Sequence, residues 1–190
     1  MQSLIDLAEI IQQLNDKFIP HDSQARIGRA ILHEGAKKVM AVCGRSYGKS
    51  RISAYLNVRL AMETPYATNY IFLPFLTQGK EVYWTPRILQ QMIPDGWIES
   101  ENQTEMRITL INGSQIKVCG ADNVDSYRGV KLNPGSMATF DEFQDFKQDF
   151  VSAFLPNLSV NDPVLYIVGT PPPVEGLFTA FMQIAQTNSD

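Results

Sequence analysis

The 190-residue sequence has only two cysteines, Cys43 and Cys119, far apart and in no CxxC pattern. That excludes a disulfide framework and a structural zinc site of ordinary spacing. A reduced, cytosolic protein is the default expectation. No apolar run approaches the roughly 18–20 residues that span a bilayer. Asp6 and Glu9 interrupt the N-terminus, where a signal peptide would be apolar. No membrane partner is therefore expected. Internal repeats, low-complexity segments and long linkers are missing too. So is an excess of positive charge: sixteen Lys and Arg stand against twenty Asp and Glu, a formal net charge of −4. That argues against a protein coated in basic charge for non-specific nucleic-acid binding.

What is present is an ordinary globular composition, 44% hydrophobic and 19% charged. At roughly 100–200 residues per domain, the length predicts a single domain. The charge is uneven. Residues 1–61 carry nine basic and five acidic residues, and residues 62–190 carry seven and fifteen.

Hydrophobic spacing predicts the order of elements. Leu4, Leu7, Ala8, Ile11 and Leu14 mark a helix over Ser3–Phe18, with Ser3 and Asp6 as a capping pair. After Pro20, Asp22 is expected to cap a second helix that ends at Gly35. The apolar run Val39–Val42 reads as a buried strand, followed by a glycine-containing loop and a helix from Lys49 to about Met62. Tyr70–Leu73 is a second strand, and Gly79–Met92 is partly helical with Pro86 early or at a kink. Met106–Ile111 and Gln115–Val118 flank Asn112-Gly113-Ser114, a hairpin signal. Ser136–Phe140 and Leu165–Val168 are further strands, and Phe178–Asp190 is a fraying helix. Strands alternating with helices predict an α/β sandwich with a mostly parallel sheet.

The strand at 39–42 leads into Cys43-Gly44-Arg45-Ser46-Tyr47-Gly48-Lys49-Ser50 and then a helix. This is the setting a phosphate-binding P-loop requires. Successive backbone N–H groups form an anion nest, and the helix directs its positive end at the phosphates. Lys49 would reach the β- and γ-phosphates, and Ser50 would offer its hydroxyl to Mg²⁺. The standard pattern places its first glycine where Cys43 stands; Gly44 is one position late.

The strand Met137–Phe140 runs into Asp141-Glu142. Beside a P-loop, an Asp at a strand end holds the Mg²⁺ shell (the Walker B position). The Glu after it is placed to polarise an attacking water. Leu165–Gly169 ends at Thr170, and in open α/β sheets ligands bind beyond the carboxyl ends of strands. Thr170 would then sense the γ-phosphate; the other reading is a stiff turn made by Gly169-Thr170-Pro171-Pro172-Pro173.

Together these residues resemble the ATPase domain of a bacteriophage terminase large subunit, the motor that packages DNA into a capsid. The resemblance spans about Phe18 to Phe181. The family's loops resemble Gly-Arg-x-x-Gly-Lys-Ser, here Gly44–Ser50, and often lack the first standard glycine, so Cys43 suits the family. Phe18-Ile19-Pro20-His21 with Gln24 resembles the adenine-binding segment, in which Gln24 would read the adenine edge; the alternative is a turn leading into a helix. Leu73-Pro74, Gln78-Gly79-Lys80 and Trp84 resemble the second strand and following helix, where the family often has Ala in place of Gly79. Asp125-Ser126-Tyr127-Arg128-Gly129 resembles a segment whose arginine acts as a finger on a neighbour's ATP; the alternative is a surface Arg paired with Asp122 or Asp125. Arg45 is a second candidate, acting within its own subunit. Gly169-Thr170-Pro171 matches the motif that couples hydrolysis to movement.

The resemblance implies a P-loop NTPase of the RecA/ASCE-like type, a three-layer sandwich formed as one domain over 1–190, with helices 1–36 leading into the core. It implies ATP and Mg²⁺ as ligands, with catalysis by Glu142, Lys49, Arg128 and Arg45. Gln24, Gly44, Arg45, Ser46, Tyr47, Gly48, Lys49, Ser50 and Thr170 would bind nucleotide, and Ser50 and Asp141 the metal. It implies double-stranded DNA, a ring of identical subunits, a portal protein and a terminase small subunit as partners. The site of action would be the host cytoplasm, transiently at the procapsid portal and outside the mature virion. Terminase large subunits usually continue into an RNase H-like nuclease; nothing in 1–190 could supply one, so no DNA cutting is expected of this chain. With little basic charge beyond the P-loop, weak and steeply salt-dependent DNA binding is expected. The rival readings are a helicase-like or other DNA-dependent ATPase, a small-molecule kinase, and a non-hydrolysing nucleotide-binding assembly module.

Overall fold

A computed structural model describes residues 4–127, 129–130, 132–172 and 175–187, with the backbone alone for residues 4–6. Seven α-helices are present among them: α1 (Leu4–Lys17), α2 (Asp22–Leu32), α3 (Lys49–Glu63), α4 (Leu76–Gly79), α5 (Ile88–Met92), α6 (Gln148–Phe154) and α7 (Leu177–Thr187). The strands are β1 (Lys38–Val42), β2 (Thr68–Leu73), β3 (Ile98–Asn102), β4 (Arg107–Leu110), β5 (Gln115–Gly120), β6 (Met137–Asp141) and β7 (Val164–Gly169). They form one sheet in the order β1-β7-β6-β2-β5-β4-β3. The first five are parallel; β4 and β3 extend the sheet as antiparallel strands. The expected mostly parallel α/β sheet is thus present.

Two cores cover the two faces of the sheet, which makes the three layers. One is largely aliphatic and gathers α1, α3 and α5, with Ile52, Leu56, Ile71 and Val168 at its centre. The other is aromatic: Phe72, Phe140, Phe143, Phe150 and Phe154 are each 0% exposed, packed with α6 and α7. β6 and β7 are buried along their whole length because both faces are covered. α3 is buried on several sides, so its sequence lacks a single apolar stripe. Asn112, at the β4–β5 turn, donates to the carbonyls of Ala61 and Met62 and so closes the end of α3.

β1 pairs only with β7 among the described residues. Leu165 N donates to Lys37 O and Cys43 N to Gly169 O. The polar backbone groups of the odd-numbered residues therefore face β7, and those of Lys38, Met40 and Val42 face away.

Several boundaries differ from the sequence reading. His21, not Asp22, caps α2: its side chain accepts from Gln24 N while Gln24 Oε1 accepts from His21 N. That reciprocal pair is a capping box with imidazole in place of a hydroxyl. The stretch expected as one partly helical segment from Gly79 breaks into α4, a π-helical turn at Lys80–Trp84, and α5. Pro86 lies in the break before α5, where Arg87 takes a left-handed conformation (φ 57°). β3 was not expected; its Glu99, Ser100 and Glu101 give no apolar alternation. The capping role of Ser3 and residues 188–190 of the last helix fall outside the described residues.

Phe72 stacks on Tyr70 and meets four other rings of the aromatic core edge-on or tilted, those of Tyr127, Phe140, Phe150 and Phe154. Phe72→Ala is expected to cost about 3–5 kcal/mol, read as a lower urea midpoint at unchanged slope.

Candidate nucleotide-binding site

Four adjacent parallel strands, β1, β7, β6 and β2, end at the same edge of the sheet. Their carboxyl ends border a cleft of about 650 Å³. Arg45, Ser46 and Lys49 line it from β1, Glu142 and Gln144 from β6, and Thr170 from β7.

The loop after β1 begins where the ladder ends. Cys43 holds the position of the first standard glycine as a buried continuation of the strand, its N–H still bonded to Gly169 O. Gly48 is the N-cap of α3 with φ 84°, and no side chain caps the helix. The first-turn N–H groups are thus left for an anion. The positive φ favours glycine, and a Cβ at Gly48 would lie 2.8 Å from Gln24 Nε2, so that carboxamide would have to shift. Gln24, 4% exposed, donates to Tyr47 O and Gly48 O. His21 Nε2 lies 3.2 Å from Tyr47 O, and its ring meets Tyr47 edge-on. Both ends of the Gln24 carboxamide are engaged by protein groups, and any contact with adenine would compete with them.

Lys49 is 7% exposed. Its Nζ donates to Thr170 Oγ1 at 2.8 Å and lies 3.4 Å from a Glu142 carboxylate oxygen. Ser50 Oγ donates to Asp141 Oδ2 at 3.0 Å. Asp141 is fully buried, and burial raises its carboxyl above the ordinary range; the Tyr83 and Ser50 hydrogen bonds act against that rise, and Glu142 adds to it. Glu142 sits in a left-handed conformation (φ 57°), which turns its side chain into the cleft. Gly44 and Arg45 are exposed on the loop, and Ser46 has φ 60°.

No group of three or more His, Cys, Asp and Glu residues able to hold a metal is found among the described residues. A cation here would use the Ser50 hydroxyl and Asp141 together with phosphate oxygens and water. That hard, oxygen-only set, with few protein ligands, suits Mg²⁺. Ser50 directs its single proton at Asp141, so its lone pairs are free for a cation.

The structure therefore brings Gln24, Gly44–Ser50, Asp141, Glu142 and Thr170 together. Arg128 lies outside the described residues. Two side chains were not anticipated. Gln144 Nε2 donates to Glu142 Oε2 at 2.7 Å, and its Oε1 accepts from Thr170 N at 3.0 Å. It ties the end of β6 to the end of β7. A Cβ at Gly169 would lie 2.5 Å from that Oε1, so the glycine makes room for the bridge. The other is Tyr83, fully buried, whose hydroxyl donates to Asp141 Oδ2 at 2.6 Å. Burial, with the charge of Asp141 second, holds its hydroxyl well above the ordinary value, so it remains a donor. The Gln two positions after the Asp-Glu pair was a signal that could have been followed; Tyr83 had none.

The Thermus phage P74-26 large terminase ATPase domain superposes with a TM-score of 0.70 at 22% identity, over 94% of this chain and 73% of that one. The chain has the fold of a phage large-terminase ATPase domain. The large terminase of the thermophilic bacteriophage D6E superposes with a TM-score of 0.74 at 15% identity, over 90% of this chain and 44% of that one. This chain thus spans less than half of the D6E protein. A D6E large terminase in complex with ADP matches with a TM-score of 0.63 at 14% identity, over 78% of this chain and 38% of that one. No protein-family model and no curated protein matches the sequence. Within the large-terminase ATPase fold, the cleft described above lies at the carboxyl ends of the strands. No helix among the described residues is long and apolar enough to cross a membrane.

Gln24→Leu is expected to loosen the loop between β1 and α3. Losing the two part-buried hydrogen bonds from Gln24 Nε2, at about 1 kcal/mol each, should speed amide exchange at Gly48 and Lys49 by roughly 10-fold or more. Exchange measured by NMR or mass spectrometry checks this, with β6 as an unaffected reference.

Proposed function

We propose that this chain is an ATPase whose hydrolysis powers translocation of double-stranded viral DNA into a procapsid, as the motor domain of a terminase large subunit. The observation that carries the reading is that Lys49, Glu142 and Thr170 meet in one cleft while the residues next in chain, Ser50 and Asp141, are hydrogen-bonded to each other. The shared fold supports it, as do the nucleotide complexes of the D6E terminase with ADP and ATP-gamma-S.

The residues divide the work as follows. The amides of Gly44–Ser50 and the Lys49 ammonium neutralise the β- and γ-phosphates. Ser50 and Asp141 hold Mg²⁺, which when bound offsets phosphate charge. Glu142 orients the attacking water and accepts its proton. Arg45, on the exposed part of the loop, reaches phosphate from the same subunit. Arg128, by the resemblance, reaches the neighbour's nucleotide and stabilises charge on the transferring group, worth about 10³–10⁵ in rate. Thr170 contacts Lys49 directly, and Gln144 links Thr170 to Glu142, so loss of the γ-phosphate is transmitted to the end of β7.

The partners of this reading are DNA, further copies of the chain in a ring, a portal protein and a terminase small subunit, met in the host cytoplasm at the procapsid portal. The domain by itself grips DNA weakly, because its surplus basic residues in 1–61 include Lys49 and Arg45, which are assigned to nucleotide.

Two measurements test the reading. Lys49→Ala and Glu142→Gln each abolish ATP turnover, by about 10²-fold or more for the carboxylate, while only Glu142→Gln retains tight ATP binding. Full activity in either variant overturns these roles. Turnover per subunit rises with protein concentration, and Arg128→Ala removes that rise while leaving the dilute rate unchanged. A concentration-independent rate would rule out a finger acting between subunits.

A further inference from the structure

The segment between β2 and α5 holds a feature that the ATPase reading does not use. After α4 the chain makes one π-helical turn, Lys80–Trp84, closed by Thr85 N donating to Lys80 O at 2.8 Å. Such turns are rare, occur mostly as single widened turns within helices, and are frequent at functional sites. This one has two faces. Glu81 and Val82, together with Gln78 of α4, line the cleft. Tyr83 points the other way, into the core, and reaches Asp141.

The contact completes a three-point hold on one carboxylate. Asp141 Oδ2 accepts from Tyr83 at 2.6 Å and from Ser50 at 3.0 Å, while Oδ1 accepts from Glu142 N at 3.0 Å. An α-helical turn carries one residue fewer per closure. Since each helical residue rotates the chain by about 100°, it would swing the phenol away from Asp141. The widened turn is what brings a cleft-lining segment and the Asp141 contact into one short stretch.

Resting on the P-loop reading above, we propose that Tyr83 is the positioning residue of the Mg²⁺ site: it orients Asp141 so that the Ser50–Asp141 pair is set before the metal binds. Mg²⁺ demands near-ideal octahedral geometry and gives up water reluctantly. A carboxylate free to rotate would have to be ordered by the ion. With Oδ2 shared between Tyr83 and Ser50, Asp141 keeps its orientation, and the Ser50 lone pairs stay free for the ion.

The test is the binding of a fluorescent ADP analogue to the full chain, titrated with Mg²⁺ and compared with EDTA. In Tyr83→Phe the affinity in EDTA stays as in the parent protein. The Mg²⁺ concentration that half-completes the tightening rises about 10-fold or more, the usual scale for losing an outer-shell partner of a metal ligand. In an Asp141→Asn background, Tyr83→Phe adds nothing further, because its effect passes through that carboxylate. An unchanged Mg²⁺ half-point in Tyr83→Phe overturns the proposal, as does a multiplying effect in the double variant. An affinity that falls equally in EDTA marks general loosening of the loop and also overturns it. If the parent protein gains no affinity from Mg²⁺, the ATPase reading and this proposal fall together. If it gains affinity and Tyr83→Phe gains it identically, only the role of Tyr83 falls.

Discussion

A carboxylate with no exposure to solvent is the most demanding group in this molecule. Burying the charge of Asp141 unpaired would be costly, so its oxygens must be satisfied from within. The supply comes from three places in the chain: the start of α3 through Ser50, the π-turn through Tyr83, and the residue after the strand through Glu142 N. Each of those donors is fixed by its own element. The need to satisfy one anion thus ties α3, the segment after β2, and β6 into a single geometry. Below it lies a second buried polar layer. Asn57 donates to Thr139, and Asn69 joins the backbones of α3 and β6. These bonds set the register of the central helix on the sheet, which apolar contacts alone would leave free to slide.

The two faces of the sheet are packed by different means. On the α3 side, branched aliphatic residues surround the polar groups that serve the site. On the α6–α7 side, stacked and edge-on phenyl rings fill the space with few polar atoms. The aromatic face adjoins the bridge made by Gln144, since Phe143 and Phe178 pack beside Gly169. Repacking that face would therefore be felt at Glu142 and Thr170 without touching either.

The parts that were legible in the sequence are those set by local pattern. Val39–Val42, Tyr70–Leu73 and Leu165–Val168 are apolar runs bounded by turn residues, and each is a strand. Gly48-Lys49-Ser50 and Asp141-Glu142 each have an ordinary reading alone, a chance helix start and a solvated turn; they stood out because both follow strands in one α/β chain. The resemblance to terminase ATPase domains, carried by those motifs, is matched at the level of the fold. What escaped reading depends on partners far along the chain. Tyr83 is one tyrosine among seven, and only a widened turn and a contact 58 positions away give it meaning. β3 is polar because it sits at the outer edge of the antiparallel extension. His21 took the cap from Asp22 because imidazole and carboxamide can bond reciprocally there, a pairing that propensity does not report.

The placement of β1 at the edge of the described sheet has a mechanical consequence. A central strand is clamped from both sides, whereas this one is anchored through β7 alone, by bonds that end at Cys43 and Gly169. The loop after β1 therefore hangs from a support that is stiff on one flank and compliant on the other. Two further braces, Gln24 and the cap residue His21, come from α2 and its N-terminus and not from the sheet. A small tilt of α2 against the sheet would be delivered to the loop through the Gln24 carboxamide and the His21 ring, as a lever acts through its pin.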